Sequence, residues 1–250
     1  MNLDIGYAES LMPPYFVTSI TYFLQEGRDN LRECLKIAFQ AAKQHNVKKL
    51  VIFTARGEGI QLALSDFCSL DENQNVNLVA VTFPQGKEFT SEGKHLDVRI
   101  SSEAEQAMVK AGVPIVRAHL PFDPIRPPFA DRGVLAQDLS LVESALNIFG
   151  GSMSLCVQAV VLACDAGAIG LGEHVIAMTS DTAILVQAAT TRLMLRELVI
   201  REILCKPAIL SIGRNERLEE GRITRTSAGT GKIIEGTSPE RKVLEEGTEK

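Results

Sequence analysis

Residues 54–59 read Thr-Ala-Arg-Gly-Glu-Gly, between a short apolar run and an amphipathic stretch. Gly57 and Gly59 let backbone approach another group closely. A helix that opens here presents free N–H groups and a partial positive charge. Thr54 adds a hydroxyl and Arg56 a planar fork of donors. With Ala55 and Glu58 between them, these are the parts of an anion or phosphate cradle. The loop is not a Walker A motif, because no Gly-Lys-Ser/Thr follows. It also falls short of Gly-x-Gly-x-x-Gly, because Leu62 stands at the third glycine position. Glu58 disfavours a multiply charged ligand. The same residues would equally make a plain glycine-rich turn with a surface arginine, and the loop alone leaves both readings open.

Other polar groups fall at expected strand ends, where open α/β sheets take ligands. Thr82 to Lys87 (Thr-Phe-Pro-Gln-Gly-Lys) follows one apolar run and contributes Thr82 and Gly86. His119 ends another, and a lone histidine there also suits a structural hydrogen bond. Asp181-Thr182 lies in a turn, where an aspartate commonly caps its own backbone. No nucleophile, base and orienting group stand in a recognisable frame. There is no Gly-x-Ser-x-Gly and no metal motif among the scattered His45, His95, His119 and His174.

The elements that must position these groups show in the apolar periodicity. Val17 to Phe23 predicts a strand, and Gly27-Arg28-Asp29-Asn30 a turn and helix cap. Leu31, Leu35, Ala38 and Ala42 mark one helical face. Lys49 to Thr54 and Val76 to Thr82 are nearly continuous apolar runs, the pattern of strands covered on both faces. Ile60, Ala63, Leu64 and Phe67 mark the helix between them. Ser102 to Glu105 predicts a capping box, Gly112 the end of its helix, and Val113 to His119 a strand. Five prolines between Pro114 and Pro128 predict a long loop. Val142, Ala145, Leu146 and Phe149 predict a helix stopped by Gly150-Gly151. Ser152 then caps a helix to about Ala166 that is apolar nearly all round and therefore central. His174 to Thr179 and Ala183 to Gln187 predict strands. A last helix is expected from Thr190 or Thr191 to before Pro207, then a strand over Ala208 to Ile212. Strands alternating with helices at this spacing predict an open, mainly parallel α/β sheet.

Composition sets the outer limits. The 250 residues are 45% apolar and 23% charged, with a net charge of −5, ordinary for a globular chain. The mildly acidic balance lacks the footprint of a nucleic-acid binder. No apolar run approaches the ~18 residues of a membrane span. Asp4 and Glu9 without an early Lys or Arg argue against a signal peptide. Five cysteines, an odd count with no Cys-x-x-Cys, read as buried free thiols in a reducing cytoplasm. Three regions are expected: an irregular segment over 1–16, an α/β domain over 17–213, and a tail over 214–250. The tail holds eight Lys/Arg, eight Asp/Glu and five Gly, too little apolar surface to offset ordering, so mobility is expected, with a hairpin near Ile223 to Ile234 as the exception.

The order of these motifs resembles one family. It is carried by Thr54 to Gly59, Val81-Thr82 with Gly86, His119, and Ala159 to Ile169 (Ala-Val-Val-Leu-Ala-Cys-Asp-Ala-Gly-Ala-Ile). It continues through Val175 to Ala183 (Val-Ile-Ala-Met-Thr-Ser-Asp-Thr-Ala) and Ile200 to Pro207 (Ile-Arg-Glu-Ile-Leu-Cys-Lys-Pro). Over roughly 15–212 the chain resembles stand-alone proteins similar to the pyruvate kinase C-terminal α/β domain. It departs from their pattern at Leu31 after Asn30, at Ala118, and at Met178-Thr179-Ser180. The resemblance implies a three-layer α/β/α sandwich with a mainly parallel sheet. It implies a phosphorylated small molecule at a strand-to-helix loop, flavin mononucleotide (FMN) or a sugar phosphate, and adds Asn30 to the site. The barrel that carries out phosphoryl transfer in pyruvate kinase has no counterpart here, so that activity is not implied. An effector-sensing or protein-interaction module without catalysis is the alternative. Homo-oligomerisation is left open; neither nucleic acid nor a membrane is an expected partner.

Overall fold

The computed structural model describes residues 17–70, 73, 75–84, 88–91, 94–122, 137–208, 216–219, 222–226 and 233–235. Strand β1 (Thr21–Phe23) is followed by a 3-10 turn (Arg28–Asn30) and α1 (Leu31–Gln44). Next come β2 (Lys49–Phe53), α2 (Glu58–Asp66), β3 (Asn77–Thr82) and a small hairpin, β4 (Glu88–Ser91) with β5 (Lys94–Asp97). Helix α3 (Ser102–Lys110), β6 (Ile115–Arg117), α4 (Gln137–Asn147) and α5 (Met153–Asp165) continue the chain. It then forms β7 (His174–Met178), β8 (Ala183–Gln187), α6 (Met194–Glu197) and β9 (Val199–Pro207).

Seven strands make one sheet in the order β1-β9-β8-β7-β2-β3-β6. Every neighbouring pair is parallel except β7 with β8 and β8 with β9. The mainly parallel α/β expectation is therefore met. Covering on both faces explains why β2 is apolar throughout. Leu50 and Ile52 join the cluster beneath α1, α2 and α3, while Val51 and Phe53 join the one beneath α4 and α5. Helix α5 is buried from Met153 to Cys164 apart from Leu155, which is its central position seen from the side chains. The expected stripe of α1 is buried at Leu35, Ala38 and Ala42, with Cys34, Phe39 and Ala41 beside it.

Several sequence expectations are corrected. The last helix is only the single turn Met194–Glu197, and Val199–Pro207 is a strand. Val199, Ile200 and Ile203 are β-branched and pair with β8, which outweighs their helix-compatible spacing. Most of the strand expected over Ala208 to Ile212 lies outside the described residues. The strands expected over Val17 to Phe23 and Val113 to His119 shrink to Thr21–Phe23 and Ile115–Arg117, since only those residues meet a partner strand. Ser101, not Ser102, caps α3: its side chain accepts from the Ala104 amide at 3.1 Å. Ala104 then occupies the third position, so no carboxylate completes a capping box. Ser152 precedes α5 without a side-chain cap. In the tail, β10 (Glu216–Glu219), β11 (Arg222–Thr226) and β12 (Ile233–Glu235) form an antiparallel sheet that includes the expected hairpin. No helix among the described residues is long and apolar enough to cross a membrane.

Candidate functional site

Strands β2 and β7 are neighbours, and the chain leaves their carboxyl ends in opposite directions along the sheet: from β2 to β3, and from β7 to β8. Such a reversal opens a crevice outside the strand ends. One wall is the loop from Thr54 to Gly57. The other is the turn from Thr179 to Thr182.

The first wall is tightly bound to its own neighbours. The buried Thr54 donates its amide to the Val81 carbonyl at 2.9 Å, and its Oγ1 accepts from the Gly57 amide at 3.0 Å. Gly57 has φ +97°, and a Cβ there would lie 2.7 Å from the Cβ of Ala104. At Gly59 a Cβ would lie 2.9 Å from Ile52 Cγ2. Both glycines are therefore required by the packing of α3 and β2, whatever ligand the loop meets. Ala55 is half-buried and Arg56 exposed. The Arg56 amide donates to Glu58 Oε2 at 3.3 Å, and its carbonyl accepts from the Ser101 amide at 3.3 Å. Glu58 thus holds its own carboxylate against the N-terminus of α2, where the helix dipole favours negative charge. Its Oε1 lies 3.0 Å from Arg28 as an ion pair without hydrogen-bond alignment. The first backbone bond of α2 runs from the Gln61 amide to the Gly57 carbonyl at 3.0 Å, so the amides of residues 58–60 lie ahead of it.

The second wall is a buried polar network. Asp181 is 5% exposed and accepts from the Gly27 amide at 2.8 Å, the Thr182 hydroxyl at 3.0 Å and the Thr179 hydroxyl at 3.4 Å. Thr182 Oγ1 in turn accepts from the Ser152 amide at 3.0 Å. Gly151, at φ +63°, leaves room for that hydroxyl, which would sit 2.5 Å from a Cβ. Gly27 and Arg28 are consecutive, so the β1–α1 connection touches both walls and spans the crevice. Asn30 shapes the connection by donating Nδ2 to the Gln25 carbonyl at 2.7 Å and gives α1 no side-chain cap.

Thr82 ends β3 beside this loop. It is 2% exposed, and its hydroxyl has no hydrogen-bond partner among the described residues. Strand alternation sets it on the same face as Leu78 and Ala80, the face covered by α1, α2 and α3. Burying a hydroxyl unpaired costs about 1–3 kcal/mol. Gly86 lies outside the described residues. His119 follows β6 at the sheet edge, exposed, and no hydrogen bond among the described residues joins it to the other groups. The fold therefore gathers Thr54 to Gly59, Asn30, Asp181 and Thr182 around one crevice, with Thr82 next to it and His119 apart. The sequence marks Gly27 and Arg28 only as turn residues, because their partners Asp181 and Glu58 are distant along the chain.

The described residues contain no group of three or more His, Cys, Asp or Glu side chains able to hold a metal ion. No protein-family model matches the chain.

Proposed function

We propose that the chain binds a phosphorylated small molecule in the crevice between β2 and β7, with FMN the first candidate and a sugar phosphate the second. The resemblance to the pyruvate kinase C-terminal α/β domain supplies the candidates. The observation that carries the reading is the orphaned Thr82 hydroxyl, buried beside a strand-to-helix loop whose helix has amides ahead of its first internal bond. An oxyanion at that loop would meet those amides and the Arg28 and Arg56 guanidinium groups. Glu58 now lies where negative charge is favoured, so a phosphate would have to displace its carboxylate. The reading concerns binding; no reaction follows from it, and pyruvate kinase activity is not expected.

Titration of the full chain with FMN and with riboflavin, followed by flavin fluorescence, tests the proposal. FMN should bind and riboflavin should bind more weakly. Arg56→Ala should weaken FMN by about 1–3 kcal/mol, the worth of hydrogen bonds to a charged group. Glu58→Gln should tighten it, because a competing carboxylate is gone. Equal binding of the two flavins, or sugar phosphates and FMN alike indifferent to both substitutions, would leave the loop as a turn only.

A further inference from the structure

At the opposite end of the sheet, beneath the C-terminal end of α1, lies a cavity of about 500 Å³ lined by His45, Val47, His174, Leu185, Arg201 and Glu202. This volume falls in the range of small-molecule sites. Buried Val47 and Leu185 give it an apolar floor, and exposed Arg201 and His174 stand at its rim.

An irregularity of the sheet makes the cavity charged. Neighbouring residues on a strand ordinarily point to opposite faces. Here Leu185 pairs with Glu202 and Val186 with Ile200, so Arg201 is an extra, bulged residue on β9. A bulge re-aims a side chain. Both Arg201 and Glu202 consequently line the same cavity.

The hydrogen-bond inventory shows what chemistry is left over. The Glu202 side chain is only 7% exposed; its Oε2 accepts from the Thr18 hydroxyl at 3.3 Å, and its Oε1 lies 3.3 Å from His45 Nε2, an ion pair when that ring is protonated. The Arg201 guanidinium gives one nitrogen to Gln187 Oε1 at 3.1 Å and keeps further N–H groups. His174 makes no side-chain hydrogen bond among the described residues, and the second ring nitrogen of His45 has none there either. The cavity therefore offers donors in excess, with its one carboxylate already engaged.

We propose that this cavity is a second small-molecule site, which takes a carboxylate or phosphate group on Arg201, His174 and His45 and rests the apolar body of the same ligand on Val47 and Leu185. Glu202 positions His45 and does not itself meet the ligand. The site is separate from the β2–β7 crevice and does not depend on what binds there.

Calorimetric titration of the full chain with benzoate, phenyl phosphate and benzyl alcohol tests this. At least one anion should bind, its identity separating carboxylate from phosphate preference, and the neutral alcohol should not. Arg201→Gln should weaken the bound anion roughly tenfold or more, the worth of a charge-assisted hydrogen bond. His174→Gln should weaken it several-fold. Both rim residues are exposed, so the variants should keep the thermal midpoint of the parent chain. As a second readout, the ring signals of His45 and His174 should shift on adding the anion. No binding of either anion, equal binding of the alcohol, or indifference to Arg201→Gln would overturn the proposal.

Discussion

The backbone amide of Gly27 donates to the Asp181 carboxylate at 2.8 Å, and this one bond fastens the β1–α1 connection to the turn between β7 and β8. The next residue, Arg28, reaches Glu58 on the other side of the crevice. The exposed ion pair contributes little, by the usual worth of surface pairs. The buried carboxylate, with two hydroxyls and an amide directed at it, contributes more.

Asp181→Ala should therefore lower stability by about 1–3 kcal/mol, since it strips three donors of their acceptor in a dry setting. Arg28→Ala should cost well under that. Urea unfolding of the two variants beside the parent chain checks the ranking; equal losses would contradict it.

Gly57→Ala should cost about 2 kcal/mol or more, because it adds overpacking against Ala104 to the strain of a positive φ. Gly112 has φ +69° but nothing within 4 Å of its would-be Cβ. Gly112→Ala should then cost only about 1 kcal/mol, the conformational part alone. A thermal-midpoint comparison in which Gly112→Ala is the worse variant would refute the packing account.

The thiols bear on alkaline stability. Cys34 and Cys205 sulfurs are 3.5 Å apart. The hydrogen bond it shares with Cys205, then burial, holds the Cys34 thiol well above its ordinary 9.0. Burial, then the charge of Asp181, does the same at Cys156. These groups keep their protons in the folded chain after the unfolded chain has lost its own. Their contribution is complete below the unfolded value and declines as pH rises beyond it, so the urea midpoint should fall from pH 9 upward. Cys156→Ala should make that decline shallower. In the native state at pH 8, half-buried Cys68 should react with a thiol reagent before Cys34, Cys156 or Cys205. Early modification of the buried three would show that this interior opens readily.

Removal of the tail after Gly213 should change the thermal midpoint by no more than a few degrees. Among the described residues, the last buried members of the two core clusters are Cys205 and Met194. A drop of ten degrees or more on truncation would show that the β10–β12 sheet supports the rest.

Where one period dominated, the sequence was readable. Leu35, Ala38 and Ala42 placed the buried face of α1, and the unbroken run Leu50 to Phe53 placed a strand covered on both sides. Val199 to Cys205 satisfied helix and strand spacing alike, and only its neighbours in the sheet decide between them. In the crevice, the Thr54–Gly59 loop and the Asp181 turn were legible because both punctuate apolar runs. The purpose of Gly57 was not, since Ala104 approaches it from a helix some 47 residues later in the chain. Nor was the His45–Glu202 pair, which depends on α1 crossing β9 and on a bulge that leaves no mark in residue type.

The pairing of β1 with β9 has a consequence for the order in which the molecule is made. Thr21 lies opposite Cys205, 184 residues later. As the chain leaves the ribosome, its first strand has no neighbour until its last one emerges, whereas β2 and β3 can pair early. A chain stopped before Val199 would carry β1 loose and β8 as a bare sheet edge, an invitation to pair with another copy. Contacts this distant also form late and slowly. Completion of the sheet is thereby a checkpoint at the end of synthesis, passed only by chains that reach Pro207.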